Sequence, residues 1–171
     1  VYLYGTDIPT WLKRFPSEHV FETRTRGLFG GDSVRLGLEE TSNPAGTRFS
    51  HSQWPLTLSS PERAILELVN ELPNKESFDI VDKIFQSLAN LRPKRLDELL
   101  SQCKSVKAKR LFFVFADRHD HAWRKHLHAR SYDLGSGPRA LVQDGRIHPT
   151  YRIFVPEDYV PSSGNGRDDG T

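Results

Sequence analysis

Apolar and polar positions change their rhythm once along this chain, near Ser59. Before that point the apolar residues come in short or alternating runs: Val1 to Tyr4, Val20 to Thr23, Val34 to Leu38 and Trp54 to Leu58. Clusters of Gly, Pro, Asn and Asp, such as GGDS and TSNPAG, separate them, which is the pattern of strands joined by turns. TWLKRF, Thr10 to Phe15, with Thr10 in a capping position after Pro9, reads as a short helical turn. Beyond Ser59 the spacing becomes three and four residues. LSSPERAILELVNELP has Ser60 as N-cap, Pro61 at the first helical position, Glu62 and Arg63 in the first turn, and Pro73 as its stop. Ile65, Leu66, Leu68, Val69 and Leu72 form its apolar stripe. A second helix is predicted from Ser77 on Phe78, Val81, Ile84, Phe85 and Leu88, and a third from Pro93 to Cys103 on Leu96, Leu99 and Leu100.

A fourth helix is predicted from Ser105 to about Arg118. Its LFFVFA run alone is equally compatible with a buried strand, but no Gly or Pro occurs from Ser101 to Leu134. That favours helix, with HDHAWRKHLHAR as a fifth. LGSGPRALV then predicts a turn and a strand, and YRIFVP a last strand, the two forming a hairpin through Asp144 and Gly145. Residues 157–171 are expected to be a disordered tail, since PSSGNGRDDGT offers no core-forming side chains. The predicted fold class is α+β. A β-rich N-terminal half (1–58) packs against a cluster of about five helices (59–130), and strands in 131–156 close the domain with a short C-terminal hairpin. Residues 1–156 are expected to be a single domain.

Composition narrows the class. With 171 residues, 36% hydrophobic and 27% charged, the chain can bury one ordinary core and has no signature of disorder. No apolar run approaches the roughly 18 to 20 residues that cross a bilayer, and no signal-peptide pattern opens the chain. The single cysteine, Cys103, supports neither an internal disulfide nor a cysteine metal cluster; a small buried residue in a reducing cytoplasm is expected. There is no methionine, and the chain begins directly in strand-like VYLYG, which reads as the cut end of a longer protein.

Charge is unevenly placed. The net value is +2, yet Arg92 to Arg130 holds eleven Lys and Arg against four Asp and Glu. Such asymmetry marks a face for phosphates or an acidic protein, or simply a solvated helical surface. The candidate binding residues are Arg92, Lys94, Arg95, Lys104, Lys107, Lys109, Arg110, Arg124 and Lys125, with Lys104 to Arg110 as the sharpest part. Successive positions on a helix spread around the cylinder, so these do not make a single stripe.

Catalytic patterns are sparse. His119, His121, His126, His128 and His148 cluster late with Asp117 and Asp120, but lack the i, i+4 spacing of helical zinc pairs. No G-x-S-x-G elbow occurs, Gly135 to Gly137 lacks the Lys-Ser/Thr of a phosphate loop, and Gly30 to Asp32 reads as a hairpin turn. Glu62, Glu67 and Glu71 are expected to face solvent, and Asp79, Asp82 and Lys83 to form the polar side of their helix. As an alternative, those last three or the late His and Asp cluster would serve a nuclease or nucleotide-modifying enzyme. Trp54, Trp123, Phe112, Phe113 and Phe115 fit core packing better than base stacking. No catalytic residue, metal or cofactor is expected.

SSPERAILELVNELP, SFDIVDKIFQSLANLRPKRLDELLSQCKSVKAKRLFFVFADRHDHAW, LGSGPRALV and YRIFVP together resemble the C-terminal domain of the AbiEi family antitoxins of bacterial type IV toxin–antitoxin systems. The resemblance runs from VYLYG to IFVP and is most distinctive over Ser60 to Ala64, Leu91 to Leu100 and Ser105 to Phe112. It implies a two-part protein, in which an N-terminal winged helix-turn-helix binds the operon's own promoter and a larger C-terminal domain carries antitoxicity. Members repress their operon and oppose a nucleotidyltransferase-like toxin without a stable toxin complex. These 171 residues contain no winged helix, so promoter DNA is expected to be bound mainly through residues outside them, with the basic segment adding phosphate contacts.

Overall fold

The computed structural model describes residues 2–4, 10–24, 28–30, 35–41 and 56–161. In chain order these form β1 (Tyr2–Tyr4), α1 (Thr10–Lys13), β2 (Glu22–Arg24), β3 (Leu38–Thr41), β4 (Leu56–Ser59), α2 (Pro61–Asn70), α3 (Phe78–Ser87), α4 (Pro93–Gln102), α5 (Val106–His119), β5 (Arg146–Ile147) and β6 (Phe154–Val155). The helix starts follow from local chemistry. Ser60, Ser77 and Ser105 accept from the amides of Arg63, Ile80 and Ala108 at 3.3, 3.3 and 3.1 Å. Pro93 opens α4 without a side-chain cap.

The apolar stripes of α2 and α3 converge on α5. Every residue of α5 from Ala108 to Ala116 is buried. Phe85 of α3 packs its ring against Phe112 and Phe115, with centroids 5.8 and 5.1 Å away. Phe113, on another side of α5, meets Tyr132 and Tyr151, each at 5.7 Å. Over Ala108 to Ala116 the helix has no solvent face, and that governs the fate of the polar residues in this stretch.

The strands pair in three separate two-stranded sheets among the described residues: β1 with β2 in parallel, and β3 with β4 and β5 with β6 antiparallel. The N-terminal part docks onto the helices through a few definite contacts. Leu28 and Phe29 are buried, the Leu28 carbonyl accepts from the Lys104 amide at 2.9 Å, and the Gly37 carbonyl accepts from the Ser60 amide at 2.8 Å. Arg63 lies over the Phe29 ring at 4.8 Å and donates to the Leu36 carbonyl at 2.7 Å. The architecture is α+β, as the sequence pattern implies.

Several local expectations are corrected. HDHAWRKHLHAR is not a fifth long helix: α5 ends at His119, Asp120 takes the left-handed conformation (φ 45°), and 3₁₀ turns follow at Arg124–His126 and Ala129–Ser131. That segment has no helical apolar stripe, and it is held instead by single anchors, Trp123 donating to the Leu88 carbonyl at 2.6 Å and Leu127 buried beside it in sequence. The C-terminal hairpin does not turn at Asp144 and Gly145, which precede β5. It turns over His148 to Arg152, closed by the His148 amide on the Ile153 carbonyl at 2.8 Å. Gly145 has a different task, since a β-carbon there would stand 2.9 Å from the Val155 carbonyl oxygen of β6. The strand expected over Val34 to Leu38 starts only at Leu38, after a turn. Residues Glu157–Tyr159 form a 3₁₀ turn with Tyr159 buried against Phe78 and Phe115, so the ordered chain continues past 156. Trp54, Gly31, Asp32 and most of TSNPAG lie outside the described residues.

Candidate nucleic-acid interface

The nine cations selected from the sequence do not form one surface. Lys109 and Arg110 are 4% and 2% exposed, because they fall within the enclosed stretch of α5. The Arg110 guanidinium donates to four backbone carbonyls: Leu134 at 2.6 Å, Gly137 at 2.7 Å, Arg152 at 2.8 Å and Gly135 at 3.0 Å. It therefore clamps the loop after the 3₁₀ turns to the C-terminal hairpin. Gly135 has φ +66°, a backbone conformation that strains any L side chain, and a β-carbon there would stand in ordinary contact with Val106 and the Arg110 guanidinium. Burial, then the neighbouring Arg139 and Arg152, depress the Arg110 pKa. Lys107 is half-buried and donates to the carbonyls of Asn70 and, at 2.8 Å, Leu72, satisfying the open C-terminal end of α2. Burial likewise pulls the Lys107 pKa down. The Lys109 ammonium has neither hydrogen bond nor carboxylate partner among the described residues.

Arg92 and Arg124 are committed to carboxylates. Arg92 donates its amide, Nε and Nη2 to Glu62, at 2.9, 3.0 and 2.9 Å, and reaches Glu39 at 2.6 Å. Burial raises the Glu62 carboxyl, but the hydrogen bonds from Arg92 outweigh it and hold the group at about 2. Arg124 pairs with Asp117 at 2.6 Å, and Tyr151 donates its hydroxyl to the same carboxylate. Arg95 pairs loosely with Glu98 at 3.4 Å. Lys94, Lys104 and Lys125 remain exposed, at the start of α4, just after its end and beyond the end of α5. Of the nine expected contact residues, Lys109 and Arg110 are buried, Lys107 is bonded to backbone, Arg92, Arg95 and Arg124 pair with carboxylates, and Lys94, Lys104 and Lys125 are exposed.

The carboxylates and histidines are absorbed similarly. Glu62 and Glu67 are buried rather than solvent-facing, and Glu67 takes Arg63 at 2.7 Å and the Ser59 hydroxyl at 2.8 Å. Asp79 accepts from Tyr159 at 3.0 Å, while Asp82 meets His119 at 2.7 Å and Arg118 at 3.2 Å. His121 bonds the Phe85 carbonyl at 2.7 Å, and His148 is buried against Tyr151. Burial raises the Cys103 thiol pKa. Trp123, Phe112, Phe113 and Phe115 are core residues. Among the described residues no three His, Cys, Asp or Glu come together as a metal site.

Two cations that the charge run did not include stand at the surface beside the Arg110 clamp. Arg139 and Arg152 are thirteen positions apart, yet the Arg139 amide donates to the Arg152 carbonyl at 3.0 Å. No local run could have marked them, since the backbone pairing of Arg139 with the chain at Arg152–Phe154 brings them together.

No helix is long and apolar enough to cross a membrane among the described residues. A family model described as "Transcriptional regulator, AbiEi antitoxin, Type IV TA system" matches residues 1–156. No curated protein and no solved structure matches the chain.

Proposed function

The chain belongs to the AbiEi antitoxin family of transcriptional regulators of type IV toxin–antitoxin systems, and from that premise we propose that it opposes a nucleotidyltransferase-like toxin in the cytoplasm and supports repression of its own operon. The observation that carries this reading is the extent of the family match, which takes in every described helix and both strands of the C-terminal hairpin. Residues 1–156 act as one antitoxin domain, and the turn at Glu157–Tyr159 seals its edge against Phe78. The domain has no catalytic task. Asp79 and Asp82, the acids an enzyme would use, serve here as acceptors that hold Tyr159, His119 and Arg118. Toxin and antitoxin do not form a lasting complex; the domain works beside DNA, touching phosphates without reading sequence.

Size-exclusion chromatography of the purified chain mixed with the toxin encoded beside it tests this directly. Separate elution at micromolar concentration is expected. A stoichiometric complex would instead favour a plain protein-interaction module. Magnesium-dependent turnover of nucleic acid or nucleotides that disappears in Asp82→Ala would favour an enzyme and overturn the reading.

A further inference from the structure

The side chains of Arg139 and Arg152 are exposed and come from adjacent backbone: the Arg139 amide donates to the Arg152 carbonyl at 3.0 Å, and the Phe154 amide to the Arg139 carbonyl at 2.9 Å. Directly behind them lies Arg110, whose Nη1 also bonds the Arg152 carbonyl, and Lys107 stands close enough to feel the charge of Arg139. Among the described residues, the carboxylates that act on Arg110 and Lys107 are Asp133, which accepts from the Gly135 amide at 2.9 Å, and Glu71, which has Lys75 at 3.9 Å. Among the described residues four cations are therefore drawn together with two such carboxylates, an arrangement that raises local positive potential and attracts a multivalent anion. The Arg139 guanidinium has no hydrogen bond or ion pair among the described residues.

A second observation concerns the backbone. Arg152 has φ 51°, the left-handed region, where an L residue other than glycine is strained by roughly 1 to 2 kcal/mol. Glycine would turn the hairpin there with less strain. Arginine at that position directs its guanidinium over the Gly135–Gly137 loop, where Nη1 meets the Ser136 carbonyl at 3.1 Å. Strained residues of this kind concentrate at functional sites. The first turn of α5 touches the same loop, Val106 lying 3.4 Å from the β-carbon position of Gly135.

We propose that Arg139 and Arg152, backed by Lys107 and Arg110 and framed by the Gly135–Gly137 loop, form a contact site for backbone phosphates of duplex DNA. The choice of DNA among polyanions rests on the regulator reading above; the position of the site rests on the geometry. Two guanidiniums on a hairpin edge hold phosphates and set orientation, but they do not discriminate bases.

The test is fluorescence anisotropy with a short duplex DNA of arbitrary sequence, titrated with the full chain over a range of salt. Arg139→Gln removes a side chain that bonds nothing among the described residues, and Arg152→Gly removes a charge while relieving the strained φ. Each is expected to weaken binding several-fold and to lower the slope of log affinity against log salt by about 0.9, the contribution of one phosphate contact. Lys83→Gln, an exposed cation on α3, should leave both quantities unchanged. Unaltered slopes in Arg139→Gln and Arg152→Gly, or an equal loss in Lys83→Gln, would overturn the site. So would binding of polyglutamate, but not of DNA, that depends on Arg139. Growth rescue against the toxin is scored separately on the wild-type chain. Rescue with no Arg139-dependent DNA binding would defeat the phosphate site and leave the antitoxin reading standing.

Discussion

Arg110 and Lys109 are neighbours in sequence, equally buried and equally charged, yet the structure assigns them opposite effects on stability. In Arg110→Met the guanidinium that holds the carbonyls of Leu134, Gly135, Gly137 and Arg152 disappears. A hydrogen bond to a charged group contributes about 1.5 to 3 kcal/mol, but four on one side chain do not add, and burying the cation opposes them. The net loss should approach that of breaking a buried ionic network, about 3 to 5 kcal/mol. For a chain of this size each kcal/mol shifts Tm by about 2 to 4 °C, so a fall of about 10 °C is expected. In Lys109→Met the removed ammonium has no partner among the described residues, so only its desolvation penalty is relieved, and stability should be unchanged or rise by about 1 kcal/mol. Urea denaturation gives both numbers, and hydrogen exchange locates the first: the Arg139 and His148 amides should lose protection in Arg110→Met alone. An Arg110→Met variant within about 0.5 kcal/mol of wild type, the behaviour of an exposed residue, would refute the clamp. Charge reversal at Lys107 or Arg110 consequently reads fold stability and cannot serve as a probe of a contact surface.

Glu62 has its folded pKa at about 2, below the ordinary 4.5, so its contribution is fully present above pH 4.5 and is lost as pH falls through about 2. With Arg92 half-exposed we expect that contribution to be about 2 kcal/mol; urea titration should show Glu62→Gln less stable by this amount near neutral pH and with a shallower acid slope across that window. Phe85→Ala, which empties the contact with Phe112 and Phe115, should cost about 3 to 5 kcal/mol by the same measurement. Replacing Lys94, Lys104 and Lys125 by Gln should change stability by no more than about 0.5 kcal/mol each, as their exposure requires; a larger loss on thermal melting would show that they are bonded into the fold.

The parts of the fold that could be read from the chain are those encoded locally. Ser60 with Pro61, Ser77, Pro93 and Ser105 each begin a helix where their capping chemistry says, and the stripes of α2, α3 and α4 face the core as their spacing requires. Tertiary enclosure is not written in a helix's own pattern. The run Lys104 to Arg110 looks like a basic surface because charged residues on an ordinary helix face water; α5 is surrounded, so Lys109 and Arg110 are buried. Glu62 and Glu67 mislead for the same reason, since their partners Arg92 and Ser59 arrive from other elements. Arg139 and Arg152 carry no local signal because it is the bridge between Arg139 and Ile153 that makes them neighbours. After His119 helix propensity without an apolar stripe gives way to single anchors such as Trp123 and Leu127, so the chain there forms 3₁₀ turns where composition alone implies a helix.

The central claim, that these residues carry antitoxicity, is tested most directly by growth rescue. The toxin encoded beside this chain is induced in cells carrying the wild-type chain or an empty vector, with folded accumulation of the chain verified by immunoblot of the soluble fraction. Growth is expected to be restored by the chain. Continued arrest despite folded accumulation would contradict it.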